Sequence, residues 1–381
     1  MEEVHRKEID RVPGGSTITN MKEEDLVFDR IYTRRRFLQT SAAATGAAFA
    51  AGALGRVARA QSPGVRPTFV WSPKATDNPV FAVAEAGGKI RSEELGVDFK
   101  WVGPPNTDAA LQASLLDDAI TAGCQGMGVS CNDATVLQPI IDRAIDSGIP
   151  VITWDSDSEQ SKRLSFYSID GDAAATAGAQ RFVEVMADNP TKTYVLLSGN
   201  AGAPNLEGRI AAVRAVLDLP ESGLEYVTTL FCNDNPQLGQ QLMEDQLTTT
   251  PDLGGFFLIG GWPLFTDIGG MTQFLAATAA GTLKCVAWDT LSMELPLLEN
   301  GTVQGLIGQK YFGWGYDGVG IMYDHVVYDI ELPPFIDSGF DLLTTPAEAT
   351  AFAEKWVTQN FVPEGGSPFG LGNPDAYAPK A

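Results

Sequence analysis

From residue 68 onward, short apolar runs alternate with longer stretches in which apolar residues recur every three or four positions. The runs at 68–71, 97–102, 126–130 and 151–154 read as buried strands. Between them, 80–95, 109–122 and 136–145 read as amphipathic helices, the last stopped by Ser147-Gly148. The pattern restarts after Asp170-Gly171. Strands at 194–197, 225–231, 256–259 and 285–288 alternate there with helices at 173–187, 206–217, 238–247 and 264–277. One more strand, 303–307, and a helix, 319–328, close the series. Continuous apolar strands alternating with amphipathic helices predict α/β architecture: two doubly wound domains, each a parallel sheet covered on both faces. The remainder, 331–381, is rich in Pro and Gly, lacks periodicity, and is expected to wrap the surface. Two such domains leave a cleft at the carboxyl ends of their strands, where ligands of open α/β sheets sit.

Composition narrows the chemistry. The 381 residues carry a formal net charge of −22, which repels phosphate backbones and argues against nucleic acid as a partner. Only two histidines occur, His5 and His325, too few for a His-ligated metal site or a hydrolytic triad built on a central His. The four cysteines, Cys124, Cys131, Cys232 and Cys285, show no C-x-x-C spacing. Cys124 and Cys131 flank one predicted strand, too far apart for a mutual disulfide. Free buried thiols are expected.

The N-terminus reads as an address. Thr33-Arg34-Arg35-Arg36-Phe37-Leu38 precedes an Ala-rich apolar stretch, and small residues at Ala58 and Ala60 suit a cleavage site. This resembles a twin-arginine export signal over 1–60, read by the twin-arginine translocase and then removed. The apolar stretch, 41–55, is short for a membrane span. Residues 1–60 hold ten basic and eight acidic residues, so their removal takes the charge from −22 to −24. Met1 and Met21 are both eligible starts.

The predicted strand ends share a polar and aromatic character. Lys74, Asp77, Asn78 and Phe81 follow the first strand, Ser130 to Asp133 the third, and Trp154-Asp155-Ser156-Asp157 the fourth. In the second half come Ser198-Gly199-Asn200, a helix carrying Arg209, then Asn233, Gly260-Gly261-Trp262, Trp288-Asp289 and Gln309. Asp accepts hydrogen bonds, Arg and Lys donate, Asn and Gln do both, and aromatic rings stack on C–H faces: the complement of a sugar. Plainer readings stand beside this one. Asn78 and Asp155 could be helix caps, Arg209 a solvated charge, and one of Trp154 and Trp288 is read as core.

Asn78-Pro79-Val80-Phe81, the stretch from Asp133 through Gly148-Ile149-Pro150-Val151-Ile152-Thr153-Trp154-Asp155, and Asp289 followed by Gln309 twenty residues on resemble the ribose-binding type of ABC-transporter periplasmic sugar-binding protein, over nearly all of 66–330. The resemblance implies a type I periplasmic binding protein fold. A first lobe would take 66–169 plus 310–340 and a second 170–309, hinged near 169–171, 309–311 and 337–339, with 341–381 as tail. It implies that Phe81 stacks on the sugar, Asn78 bonds a hydroxyl, Asp155 accepts two, Ser130 adds a polar contact, Arg209 reaches in from the second domain, and Asp289 and Gln309 close the site. Where the family often has Asn, this chain reads Gly261-Trp262, so Trp262 would stack instead. Ser156 stands where ribose binders carry Arg, which argues against ribose itself. Lys74, four residues before Asn78, and the run through Asp157 are closer to the branch binding autoinducer-2 and rhamnose. That branch's Asp-Gln pair is absent around Pro204-Asn205. The resemblance implies a monomeric periplasmic protein without cofactor, delivering a monosaccharide to an ABC permease or presenting it to a chemoreceptor or sensor kinase.

Three rivals follow from the same residues. Asp155-Ser156-Asp157 has the D-x-D form of metal–nucleotide-holding glycosyltransferases, and two cleft carboxylates could also hydrolyse a glycoside. A sensor component would use the same site as a transport component. A repressor of this fold would need a DNA-binding segment before residue 66, and no helix-turn-helix is read there.

Overall fold

A computed structural model describes residues 66–358, 361–363 and 365–378. The expected export signal lies outside the described residues. The chain runs β1 (Thr68–Ser72), α1 (Pro79–Leu95), β2 (Asp98–Trp101), α2 (Ala109–Ala122), β3 (Gly126–Val129), α3 (Ala134–Asp146), β4 (Val151–Trp154) and β5 (Ser165–Ser168). It continues through α4 (Gly171–Met186), β6 (Thr193–Ser198), α5 (Pro204–Leu217), β7 (Glu225–Phe231), α6 (Pro236–Thr249), β8 (Gly255–Leu258), α7 (Thr272–Ala279), β9 (Lys284–Trp288), α8 (Leu295–Glu299) and β10 (Gly305–Gly308). Last come α9 (Tyr311–Tyr328), β11 (Phe335–Asp337), β12 (Asp341–Leu343) and α10 (Pro346–Thr358).

Two six-stranded sheets result, ordered β11-β5-β4-β3-β1-β2 and β12-β10-β9-β8-β6-β7. All pairings are parallel except β12 against β10. Strands β3, β4, β8 and β10 are buried along their whole length, as strands covered on both faces must be. Polar side chains start the helices: Asn78, Asp108, Asp133, Asp170 and Asn235 each accept a backbone N–H of the first turn. The chain passes between the sheets at 169–170, 309–310 and 338–340.

Helices α1 and α9 touch backbone to backbone on one face of the first sheet. Glycine permits this. A Cβ at Gly87 would strike the Phe312 carbonyl, and one at Gly315 the Ala84 carbonyl. Alternate strand residues divide the interior: Phe69 and Trp71 join the core under α1 and α9, whereas Val70 joins Leu116, Ile120, Leu137 and Ile141 of α2 and α3.

Two expectations fail here. The helix expected over 264–277 is a single 3₁₀ turn, Trp262–Leu264, followed by an irregular segment and the short α7. Its apolar spacing is real, but Gly269-Gly270 interrupts it. The tail beyond 341 is not irregular, since β12 extends the second sheet and α10 packs on α8. Strand β5 and helix α8 were not expected; both are short.

Candidate functional site

The strands' carboxyl ends from both sheets converge on a cavity of about 1040 Å³. The first sheet's side contributes Lys74, Asn78, Phe81, Asn132, Asp155 and Ser156. Opposite stand Asn200, Arg209, Asp234, Trp262 and Asp289, with Gln309 at the crossover and Trp314 on α9.

Two Trp-Asp corners organise this space. Strands β4 and β9 hold the same third place in their sheets, and each ends in Trp followed by Asp. Both aspartates sit in the left-handed region, Asp155 at φ 60° and Asp289 at φ 84°. That region is sparsely populated by non-Gly residues and costs on the order of 1–3 kcal/mol where it is held. At Asp155 the chain makes a three-residue turn, with Ser156 N donating to Trp154 O at 2.6 Å.

Asp155 is held from within its own lobe, whereas Asp289 is held from both sides of the crossover, by Gly261 of the second lobe and by Tyr311 of α9 on the first. Asp155 Oδ2 accepts from Ser130 Oγ at 2.6 Å and pairs with Lys74 Nζ at 3.2 Å. Asp289 Oδ1 accepts from Tyr311 Oη at 2.6 Å and weakly from Gln309 Nε2 at 3.4 Å, while Oδ2 accepts from Gly261 N at 3.1 Å. Arg209 lies with its guanidinium carbon 4.4 Å from the centroid of the Trp288 ring and donates to Gln309 Oε1 at 2.9 Å. Burial pushes its pKa down, and the charges of Asp289 and Asp155 oppose that shift.

Aromatic rings build the wall beside Asp155. Phe81 meets Trp154 edge-on at 5.7 Å and lies 6.0 Å from Trp314; Trp154 and Trp314 are 5.7 Å apart. Trp262 lies over Gly199 and Gly260, whose missing side chains leave room for its indole. Trp154 and Trp288 are both fully buried, so both are core where one was expected to be.

Asn78 combines both readings proposed for it: its Oδ1 caps α1, and the residue lines the cavity. Two residues depart from expectation. Ser130 is buried behind the cavity wall and acts on Asp155. Asp157 is turned away altogether. The tight turn at Asp155 sends it back toward the sheet, where Thr153, Ser158 N and Arg163 occupy its carboxylate. With Asp157 committed, the D-x-D reading loses its second carboxylate. Among the described residues, no cluster of His, Cys, Asp or Glu is arranged to hold a metal ion, and no helix is long and apolar enough to cross a membrane.

Among the cavity residues that the sequence reading did not single out are Asp234 and Trp314. Asp234 follows Asn233 with both in the left-handed region, and its Oδ2 accepts from Asn200 Nδ2 at 2.5 Å. Burial raises its pKa, and facing Lys74 opposes the rise. The turn-forming run Asn233-Asp234-Asn235-Pro236 was the available signal. Trp314 had none, since it sits inside an apolar helix. Behind Asp289, Glu294 is fully buried, and its Oε1 fills the space that a side chain at 261 would need. That is why Gly stands at 261. Burial first, then the Asp289 charge, pushes the Glu294 pKa well above the usual carboxylate range.

A profile described as the periplasmic binding protein domain matches residues 69–328. The D-ribose/D-allose-binding protein of Pseudomonas aeruginosa is 24% identical over 247 residues, covering 62% of this chain and 75% of the relative. A crystal structure of an ABC transporter solute-binding protein from Burkholderia graminis C4D1M, in complex with D-arabinose, superposes with TM-score 0.68 at 27% identity, covering 73% of this chain and 95% of that one. A solute-binding protein from Agrobacterium vitis, bound with α-D-tagatopyranose, superposes at 0.67 with 20% identity, covering 75% and 96%, a likeness of fold alone.

Proposed function

The chain belongs to the periplasmic binding protein domain family, a family of binding proteins and not of enzymes, and from that premise we propose that it captures a monosaccharide between its lobes and delivers it to an ABC-transporter permease. The observation that carries this reading is the pair of Trp-Asp corners at equivalent places in the two sheets, with Asp155 and Asp289 both lining one cavity. Each carboxylate accepts hydroxyl hydrogens, with Lys74, Asn78 and Arg209 as donors and Phe81 and Trp262 as ring faces. A sugar held by both lobes stabilises the closed form by its differential affinity, and the crossovers at 169–170, 309–310 and 338–340 serve as hinges. Closure presents the filled cleft to the permease.

The test is a thermal-shift screen of the chain from residue 61 onward, with D-arabinose, D-ribose, D-allose, other pentoses, hexoses and deoxyhexoses, and autoinducer-2. A ligand at 100 times its Kd stabilises by about 2.7 kcal/mol, a rise of several degrees. A flat panel after refolding refutes the sugar reading. For the hit, Asp155→Ala and Asp289→Ala are each expected to weaken binding by about tenfold or more, the worth of a charge-assisted hydrogen bond, with far-UV circular dichroism unchanged. Normal affinity in both would remove the assignment of the site.

The export route belongs to the same proposal. Changing Arg34→Lys, Arg35→Lys and Arg36→Lys together is expected to leave the precursor in the cytoplasm, read by fractionation; normal export would exclude the twin-arginine route.

A further inference from the structure

Asp157 faces away from the cavity, yet its carboxylate bonds both limbs of the turn that carries Asp155. Its Oδ1 accepts from Thr153 Oγ1 at 2.5 Å, two residues before Asp155, and from Ser158 N at 2.8 Å, three residues after it. The guanidinium fork of Arg163 grips the same carboxylate, Nε to Oδ1 at 2.8 Å and Nη2 to Oδ2 at 2.6 Å. Both ends of this grip are fixed in turn. Arg163 Nη1 donates to the Pro334 carbonyl at 2.8 Å, just ahead of β11, and Ser158 Oγ donates to the Ala134 carbonyl at the start of α3 at 2.6 Å.

The turn needs such a grip. Asp155 stands in the left-handed region, which a non-Gly residue keeps only where its surroundings over-determine it. Two backbone bonds help, Ser156 N to Trp154 O and Cys131 N to Ser156 O. Both engage Ser156; the Asp157 carboxylate is what ties Thr153 to Ser158 across the whole turn. The two Trp-Asp corners differ in this respect. Asp289 takes a backbone donor directly, Gly261 N, whereas the Asp155 carboxylate is met by a hydroxyl, Ser130, and an ammonium on a flexible stem, Lys74. Those two groups follow the carboxylate wherever its backbone puts it. The backbone of the turn therefore sets where Asp155 points.

We propose that Asp157 and Arg163 are positioning residues for the sugar site: their ion pair locks the turn on which Asp155 stands and so fixes the direction of the Asp155 carboxylate into the cavity. Neither residue is among those lining the cavity, so their action runs through Asp155. A carboxylate whose backbone is free to swing must be ordered when ligand binds, and that ordering weakens affinity. The affinity half of this inference rests on the sugar reading above; the half that concerns the turn does not.

The test has two arms, and the first needs no sugar. At a left-handed position Gly is unstrained and Ala strained, so Asp155→Gly is expected to unfold at higher denaturant than Asp155→Ala. With Asp157→Ala added to each, the turn is free to relax, and the gap between their midpoints is expected to shrink to about half or less. The second arm reads the dissociation constant of the sugar found by the screen. Asp157→Ala is expected to weaken binding about tenfold, the worth of a charge-assisted hydrogen bond. Asp157→Asn, which keeps an acceptor for Thr153 and Ser158 N, should stay within about threefold of wild type, the neutral bond being the weaker kind. On top of Asp155→Ala, Asp157→Ala should add less than about twofold, since residues that act as one unit are not additive. Thr153→Val removes one bond to the carboxylate, is expected to move both arms the same way by less, and decides the matter where Asp157→Ala does not fold. An undiminished gap would overturn the proposal. So would normal affinity beside a lower midpoint, which would make the pair a mere stabiliser, or a full tenfold loss on top of Asp155→Ala. A wild type that binds no sugar, with a gap that still shrinks, would sink the sugar reading and leave the hold on the turn standing.

Discussion

Burial and the charge of Asp289 push the carboxyl group of Glu294 toward its protonated form. Its Oε2 accepts from Leu291 N at 2.8 Å, while its Oε1 has no partner among the described residues. The folded state thus binds a proton that the unfolded chain releases above the ordinary Glu value of 4.5. Stability from this group therefore falls as pH rises from 4.5 toward the raised folded pKa. Glu294→Gln, neutral at every pH, is expected to raise the melting temperature at pH 7 and to do little at pH 4. An equal gain at both would mean that Glu294 is not protonated in the fold. At this scale the site was partly legible. Asp155, Asp289 and Gln309 announce themselves by ending apolar runs. Asp157 does so equally, and only Arg163, six residues on, hinted that it would be claimed. What no linear pattern carries is the left-handed turn that separates Asp155 from Asp157.

Elements were legible where burial made them continuous. The apolar runs of β1, β3, β4, β6, β8 and β9 mark a sheet covered on both faces, and their order repeats. The order and crossovers of the strands depend on packing that adjacent residues do not encode. Helix α10 was missed, although its start carried a signal. Thr345 and Glu348 form a capping box, Thr345 Oγ1 accepting from Glu348 N and Glu348 Oε2 from Thr345 N, with Pro346 at the first helical position. The glycines of α1 and α9 make a prediction of their own. Gly315→Ala drives a Cβ into the Ala84 carbonyl and the Gly88 amide. It should destabilise by about 1–3 kcal/mol, the range of core overpacking. Gly208→Ala in α5, where a Cβ meets nothing within 4 Å, should instead stabilise by up to about 1 kcal/mol. Denaturant midpoints read both; equal signs would mean that helix propensity, and not the α1–α9 approach, governs these positions.

At the scale of the whole molecule, two sheets of identical strand order each supply half of one cavity. The strong negative charge disfavours nucleic acids and other phosphate-rich surfaces as partners. All four thiols are free and buried, and burial pushes Cys124 up to about 11, Cys232 up to about 12, and Cys131 and Cys285 higher still. At neutral pH such groups are ionised to less than about one part in a thousand, and the thiolate is the reactive form. A dye maleimide offered to the folded protein thus has no native thiol to take it. One cysteine placed at the rim of the cleft would carry a fluorophore alone, and the protein would become an optical gauge of its own solute with no background to subtract.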